Sequence, residues 1–516
     1  MCFKKFLILS AALIFSNLQV NADNAWVNHL RTDFLNNKSV IYAVNMRTFN
    51  AQDKNNNGII DFNEGETSGT FINGINRLGE LQNEGINALH LLPITPVGKT
   101  KALGTAGSLY SAAGFNSINP QLKDYSSQLT LEQQARQFIN AAHEKGIAII
   151  VDIPACGSYD LFLQSPELFV KDASGQPVIP ADWTDVRLLN AGNEEKINND
   201  LLKIHKEFVD YMINLGVDGI RADAAHTKPA KFWQELIAYS RKKDPQFLWL
   251  AESSDSWKDA VSDKAVFTPY DKLLRAGFDG FYGSWFNLKN WTTSKELQNQ
   301  VNMTMSLEKN FGEAKSVIGS FTTHDELSPI IEKGPAYSKM IMWLNTTLPV
   351  NSYFVDGFDS GDKYIYFWAN KKAPQTYTDD DIYFVHRGKL DIFNFSRRPG
   401  GENMDLKIEF VRANQVKPIV NNIYNSQNSS FKFLKTSDEK VFAYTISNED
   451  TIIAVIGNMN FSSEIKVKVK LPKIKPEDSV MPMTMINVPE IGKGEITTNL
   501  QPGEIQVLMF SKNLDK

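Results

Sequence analysis

The feature that most constrains this chain is a repeated rhythm: a short unbroken apolar run, then helical spacing, then another apolar run. Residues 147–153 read IAIIVDI. A run without polar alternation fits a strand covered on both faces by crossover helices. Before it, residues 129–145 have helical spacing, with Thr130 and Gln133 placed as a capping box and Gly146 as the stop. The pattern recurs with strands predicted at 40–49, 88–94, 217–223 and 246–252, and helices at 71–84, 198–215 and 229–242. Later strand candidates are 278–282, 316–322 and 348–354. About eight strand–helix units over roughly 390 residues predict a closed (β/α)₈ TIM barrel, with an open doubly wound sheet as the alternative. No glycine fingerprint follows the first strand, which argues against dinucleotide binding.

Two segments break the rhythm. Residues 155–190 are polar, contain proline and lack long periodicity, as an excursion after the third barrel strand would. From about residue 432 short alternating runs appear, among them VFAYTISN, TIIAVIGNMN and EIQVLMF, which predict an antiparallel β module of about 85 residues.

The first 22 residues carry Lys4 and Lys5, an apolar run at 6–15, and Val20-Asn21-Ala22. This is the layout of a secretory signal peptide, with an uncleaved anchor as the alternative. Cleavage would give a secreted or periplasmic chain with no stable membrane span. Cys2 would leave with the signal, so Cys156 would have no intramolecular partner. Lys plus Arg is 54 and Asp plus Glu is 59, a net charge of −5, without a basic arm. Nucleic acid is therefore not the expected partner.

Three acids stand at the C-terminal ends of predicted strands: Asp223 in GIRAD, Glu252 in LWLAES and Asp325 in TTHDE. In a barrel those ends open into one cleft, where paired carboxylates suit glycosidic bond cleavage. Arg221 shares the inward face with Asp223 by strand alternation, and so is placed to keep it ionised. The competing reading is that each acid caps a helix or sits on the surface. A separate signal lies in DKNNNGIIDFNE, where Asp53, Asn55, Asn57, the Ile59 carbonyl, Asp61 and Glu64 have the spacing of a Ca²⁺ loop around Gly58. The plain alternative is an Asn-rich turn. His29, His90, His143, His205 and His386 show no metal-ligand spacing and read as structural or surface residues.

These motifs, in this order, resemble the α-amylase family of retaining glycoside hydrolases over roughly residues 35–516. The resemblance implies a (β/α)₈ barrel at 35–154 and 191–425, an inserted domain at 155–190 and a C-terminal β-sandwich at 432–516. It also implies that Asp223 is the nucleophile with Arg221 as its partner, Glu252 the general acid/base, and Asp325 the transition-state stabiliser. His324 and Tyr110 are implied sugar contacts, and Asp152 is the retained acid of the third-strand motif. The departures are specific. Cys156 stands where the family has a calcium-binding asparagine, and Gly157 where it has a sugar-binding histidine. No metal is therefore expected beside Cys156, whose thiol is expected to be a buried strand-end side chain and not a nucleophile. Trp183 suits a sugar platform or simple packing.

The implied substrate is an α-glucan or maltooligosaccharide, acted on by a monomer. Hydrolysis of α-1,4 bonds is the leading expectation. The alternatives are 4-α-glucanotransfer through the same glycosyl-enzyme, and a non-catalytic glycan-binding barrel.

Overall fold

The computed structural model describes residues 26–52, 54, 62–102, 107–180, 183–362, 403–471, 479–484, 489–492 and 494–511. The expected signal peptide lies outside them. Eight parallel strands form one curled sheet: β1 (Val40–Val44), β2 (Ala88–Leu91), β3 (Ala148–Ile153), β6 (Gly219–Ala222), β7 (Leu248–Ala251), β8 (Gly280–Phe281), β9 (Ser316–Val317) and β10 (Ser352–Val355). Their order is β10-β1-β2-β3-β6-β7-β8-β9. The two end strands meet through a parallel bridge between Ile318 and Asn351. This is the strand order of a (β/α)₈ barrel, with only a bridge joining β9 to β10.

Strand alternation divides the core. Ile41 and Ala43 join one apolar cluster with Ile150, Leu248, Leu250 and Tyr353, while Val40, Tyr42 and Val44 join the larger one packed by the helices. The inner cluster also holds Leu30 and Phe34 from the helix Leu30–Leu35. Phe34 fits because Gly280 has no side chain: a Cβ there would lie 2.5 Å from the Phe34 ring.

Local chemistry sets the long helices. Thr130 and Gln133 form the expected capping box on Leu131–His143. Asn198 caps Asn199–Leu215, which ends at Gly216 with φ +100°. The predicted helix at 71–84 is interrupted instead by a 3₁₀ turn at Ile75–Arg77. Several strands are shorter than their apolar runs, because burial continues into the following loops: Tyr282 and Phe321 are buried beyond β8 and β9 without strand pairing.

After β3 the chain leaves the sheet. β4 (Cys156–Gly157) pairs antiparallel with β5 (Arg187–Leu188) on its return. The C-terminal segment forms a five-stranded and a three-stranded sheet. Their pairing is antiparallel, and Val441, Ala454 and Phe510 of one share an apolar cluster with Val467, Val469 and Ile496 of the other. Among the described residues no helix is long and apolar enough to cross a membrane.

Candidate active site

The C-terminal ends of the parallel strands bring the sequence-predicted residues together. Asp152 on β3 and Arg221 on β6 are register partners across adjacent strands. Asp223 follows β6, Glu252 follows β7, and His324 and Asp325 lie on the loop after β9. Asp223, Glu252, His324, Asp325 and Tyr110 line one cavity of about 500 Å³.

Arg221 organises the acids. It is fully buried, and its Nη1 lies 3.0 Å from Asp223 Oδ1 and 3.2 Å from Asp152 Oδ1. Its Nη2 lies 3.1 Å from Glu252 Oε1, and its Nε donates to the Tyr282 hydroxyl at 3.0 Å. Besides Asp223, its expected partner, the guanidinium also meets Asp152 and Glu252, so it is shared among three carboxylates. The second oxygens are held by backbone. Ala155 N–H donates to Asp223 Oδ2 at 2.9 Å, and Ala224 N–H donates to Glu252 Oε2. To aim that donor, Ala224 adopts a left-handed backbone with φ 37°, an uncommon state for a residue with a Cβ.

The acids differ in charge state. Asp152 resists the upward pull of burial because Arg221 and His90 stand against it, and it is held at about 2. Burial and the Glu252 charge push Asp223 up to about 7 despite Arg221. Burial likewise raises Asp325 to about 7 against Arg221, with the Asp223 charge adding to the rise, and it raises Glu252 as well. The permanent anion of the site is therefore Asp152. Asp223 and Asp325 sit near the point where a proton is gained or lost.

A polar layer fixes this core from below. Tyr110 donates to Asp152 Oδ2 at 2.7 Å and meets His324 Nε2 at 2.8 Å, its ring stacked on that imidazole. His90 bonds Asp152 Oδ1 at 3.1 Å through Nε2 and the Tyr353 hydroxyl at 2.9 Å through Nδ1. His90, read from sequence as structural or surface, thus supports the site directly. Its apolar strand neighbours gave no sign of this, nor did any spacing mark Tyr282 or Tyr353.

At β4, packing accounts for Gly157. A Cβ on Gly157 would lie 2.8 Å from the Phe169 ring, so that aromatic side chain fills the room a larger residue would need. Cys156 lines the cavity, is buried, and has its thiol pushed well up by burial. That leaves it a poor nucleophile. Trp183 also lines the cavity, its ring 5.6 Å from that of Tyr110. Of the expected calcium loop, Asp53, Asn55, Asn57, Ile59 and Asp61 lie outside the described residues. Glu64 is exposed in a 3₁₀ turn, and the loop's flanks are joined by an antiparallel bridge between Gln52 and Thr67.

No protein-family model matches the chain. The α-1,4-glucan:maltose-1-phosphate maltosyltransferase of Arcanobacterium haemolyticum is 26% identical over 296 residues, covering 53% of this chain and 39% of that protein. The enzyme of the same name from Picrophilus torridus is 24% identical over 412 residues, covering 76% of this chain and 59% of its own length. The chain thus spans less than two thirds of these curated relatives. The crystal structure of an α-amylase from Lactobacillus plantarum matches with a TM-score of 0.68 at 19% identity, covering 92% of this chain and 99% of that one. In sequence and in fold the chain is homologous to the α-amylase family of (β/α)₈-barrel enzymes. At the C-terminal ends of its parallel strands it carries a buried charged network of Arg221 with Asp152, Asp223 and Glu252.

Proposed function

We propose that this chain is a retaining, α-glucan-active enzyme that passes a glycosyl group from a glucan donor to a sugar acceptor. The observation that carries the proposal is the Arg221 bridge, which holds Asp223 and Glu252 beside one cavity with Asp325 on its wall. Asp223 attacks the anomeric carbon as Glu252 protonates the departing glycosidic oxygen. The C1–O bond breaks and a glycosyl ester on Asp223 forms. Glu252 then takes the proton of an incoming hydroxyl, whose oxygen displaces Asp223 at C1. Asp325 grips sugar hydroxyls as the ring flattens, with His324 and Tyr110 on the same sugar.

Transfer is favoured over hydrolysis by two observations. The sequence relatives are named as maltosyltransferases. The cavity wall also carries Trp183, Trp257 and Phe286, apolar surface that suits a sugar ring better than water alone. In this reading the chain is exported, and the 53–64 loop holds a structural Ca²⁺ through oxygen ligands and supplies no catalytic step.

Product analysis on maltooligosaccharides of defined length tests the reading. Transfer gives chains both longer and shorter than the substrate, and none with Asp223→Asn. Shorter chains alone assign hydrolysis. Wild-type products that persist unchanged with Asp223→Asn refute the site.

A further inference from the structure

Behind Asp223 lies a cation that this scheme does not use. Lys228 is fully buried, and its Nζ donates to the Ala155 carbonyl at 3.2 Å. Ala155 is the residue whose N–H donates to Asp223 Oδ2 at 2.9 Å. One residue at the end of β3 is therefore gripped on both sides, by the ammonium through its carbonyl and by the carboxylate through its amide. The lysine is itself anchored. Its own carbonyl accepts from Thr268 Oγ1 at 2.8 Å, and its Nζ lies 5.8 Å from the Trp233 ring.

A buried ammonium is costly to keep, so a use for its charge is expected. We propose that Lys228 is a positioning residue for the nucleophile: by holding the Ala155 carbonyl it sets the Ala155 N–H on Asp223 Oδ2 and fixes the rotation of that carboxylate. The proposal rests on Asp223 being the nucleophile. With Arg221 on Oδ1 and Ala155 on Oδ2, the carboxylate plane is defined at both oxygens. Loss of the lysine charge frees one of the two. The charged and titratable groups around Lys228 are Asp223, whose charge favours its own, the Cys156 thiol, which burial keeps protonated, and His205 and His226, which its charge disfavours as cations. Burial lowers Lys228 to about 8, with Asp223 pulling the other way. The ammonium is thus present at neutral pH and lost as pH rises through that value.

The test uses the full chain with α-maltosyl fluoride, a donor whose leaving group needs no protonation, so that Glu252 does not set the alkaline limb of glycosyl-enzyme formation. Wild type should lose activity above about pH 8. Lys228→Met should lower kcat by on the order of 10- to 100-fold with KM little changed. Lys228→Arg should recover part of that loss and move the alkaline limb to higher pH. Wild-type kcat in the Met variant overturns the proposal. If the Met variant does not fold, an alkaline limb unmoved in the Arg variant overturns it. A wild type that turns over no α-glucosyl donor brings down the functional reading and this proposal with it. An active wild type with an unmoved Arg limb brings down the lysine assignment alone.

Discussion

Arg221 reaches Asp223 with one guanidinium nitrogen at 3.0 Å and Glu252 with the other at 3.1 Å. A bridge of this kind fixes the spacing of two acids and lowers the cost of holding charge on either. Lysine keeps the charge but cannot present two separated nitrogens. Arg221→Lys should therefore fold and lose on the order of 10²- to 10³-fold in kcat, a loss of the size seen when one preorganised donor is removed. Steady-state kinetics beside a thermal melt checks this. Near-normal kcat with a normal melt would remove Arg221 from the mechanism.

The pH profile follows from the charge states. Asp223 must be ionised to attack, and burial with the Glu252 charge places it at about 7. Activity should fall as pH drops through that value. Asp325 and Asp223 repel when both are charged. Asp325→Asn removes that repulsion, so its residual activity should show an acid limb at lower pH than wild type. The measurement is kcat/KM against pH with an activated fluoride donor. A limb that stays in place contradicts the coupling.

How much of this was legible beforehand differs residue by residue. Asp223, Glu252 and Asp325 could be placed because each follows an apolar strand, and barrel strand ends share one mouth. His90 could not. Its partners are Asp152 and Tyr353, the latter 263 residues away, and only curling the sheet from β10 round to β3 brings the three together. Lys228 was equally silent, because its partner is a backbone carbonyl and no side-chain pattern records it. The runs at 278–282 and 316–322 exceed the strands β8 and β9, since Tyr282 and Phe321 are buried outside any ladder.

Away from the cavity, Glu84 makes a stability prediction. Burial and the Asp359 charge raise it to about 8, although Lys407 lies 2.9 Å away. Its folded value exceeds the unfolded one, so the native state holds this proton longer. The associated stability is present at acid pH and is lost as pH climbs from about 4.5 to about 8. Glu84→Gln cannot ionise and should escape that loss, while Lys407 keeps Glu80 and Asp359. The Tm of the variant should gain on wild type as pH rises from about 5 to about 8. Parallel Tm curves would show that Glu84 is charged throughout.

The Ca²⁺ expectation is tested by Asp53→Ala with Asp61→Ala. A metal that binds only the folded chain stabilises it by linkage. The double variant should bind one Ca²⁺ fewer and melt at lower temperature in calcium-containing buffer, with the two melts converging in chelator. An unchanged Ca²⁺ stoichiometry refutes the loop as a site.

The stereochemistry of the first product is the most direct test of the two-step chemistry. Asp223 attacks C1 from the face opposite the leaving group, and the acceptor then attacks from the face opposite Asp223, so two inversions give net retention. A one-step reaction needs an attacking water between acid and base, with carboxyls about 6.5–9.5 Å apart, against about 5–5.5 Å for a nucleophile and acid/base pair. Here one guanidinium contacts an oxygen of each acid. Proton NMR of fresh reaction mixtures should show the α anomer or α-linked transfer product first, with β signal growing only at the rate of mutarotation. Asp223→Asn should bind oligosaccharide with little change and form no product. Glu252→Gln should retain glycosyl-enzyme formation with the fluoride donor while losing activity on maltooligosaccharides, whose leaving oxygen needs the proton. Early β product above the mutarotation rate overturns the assignment of Asp223 as nucleophile.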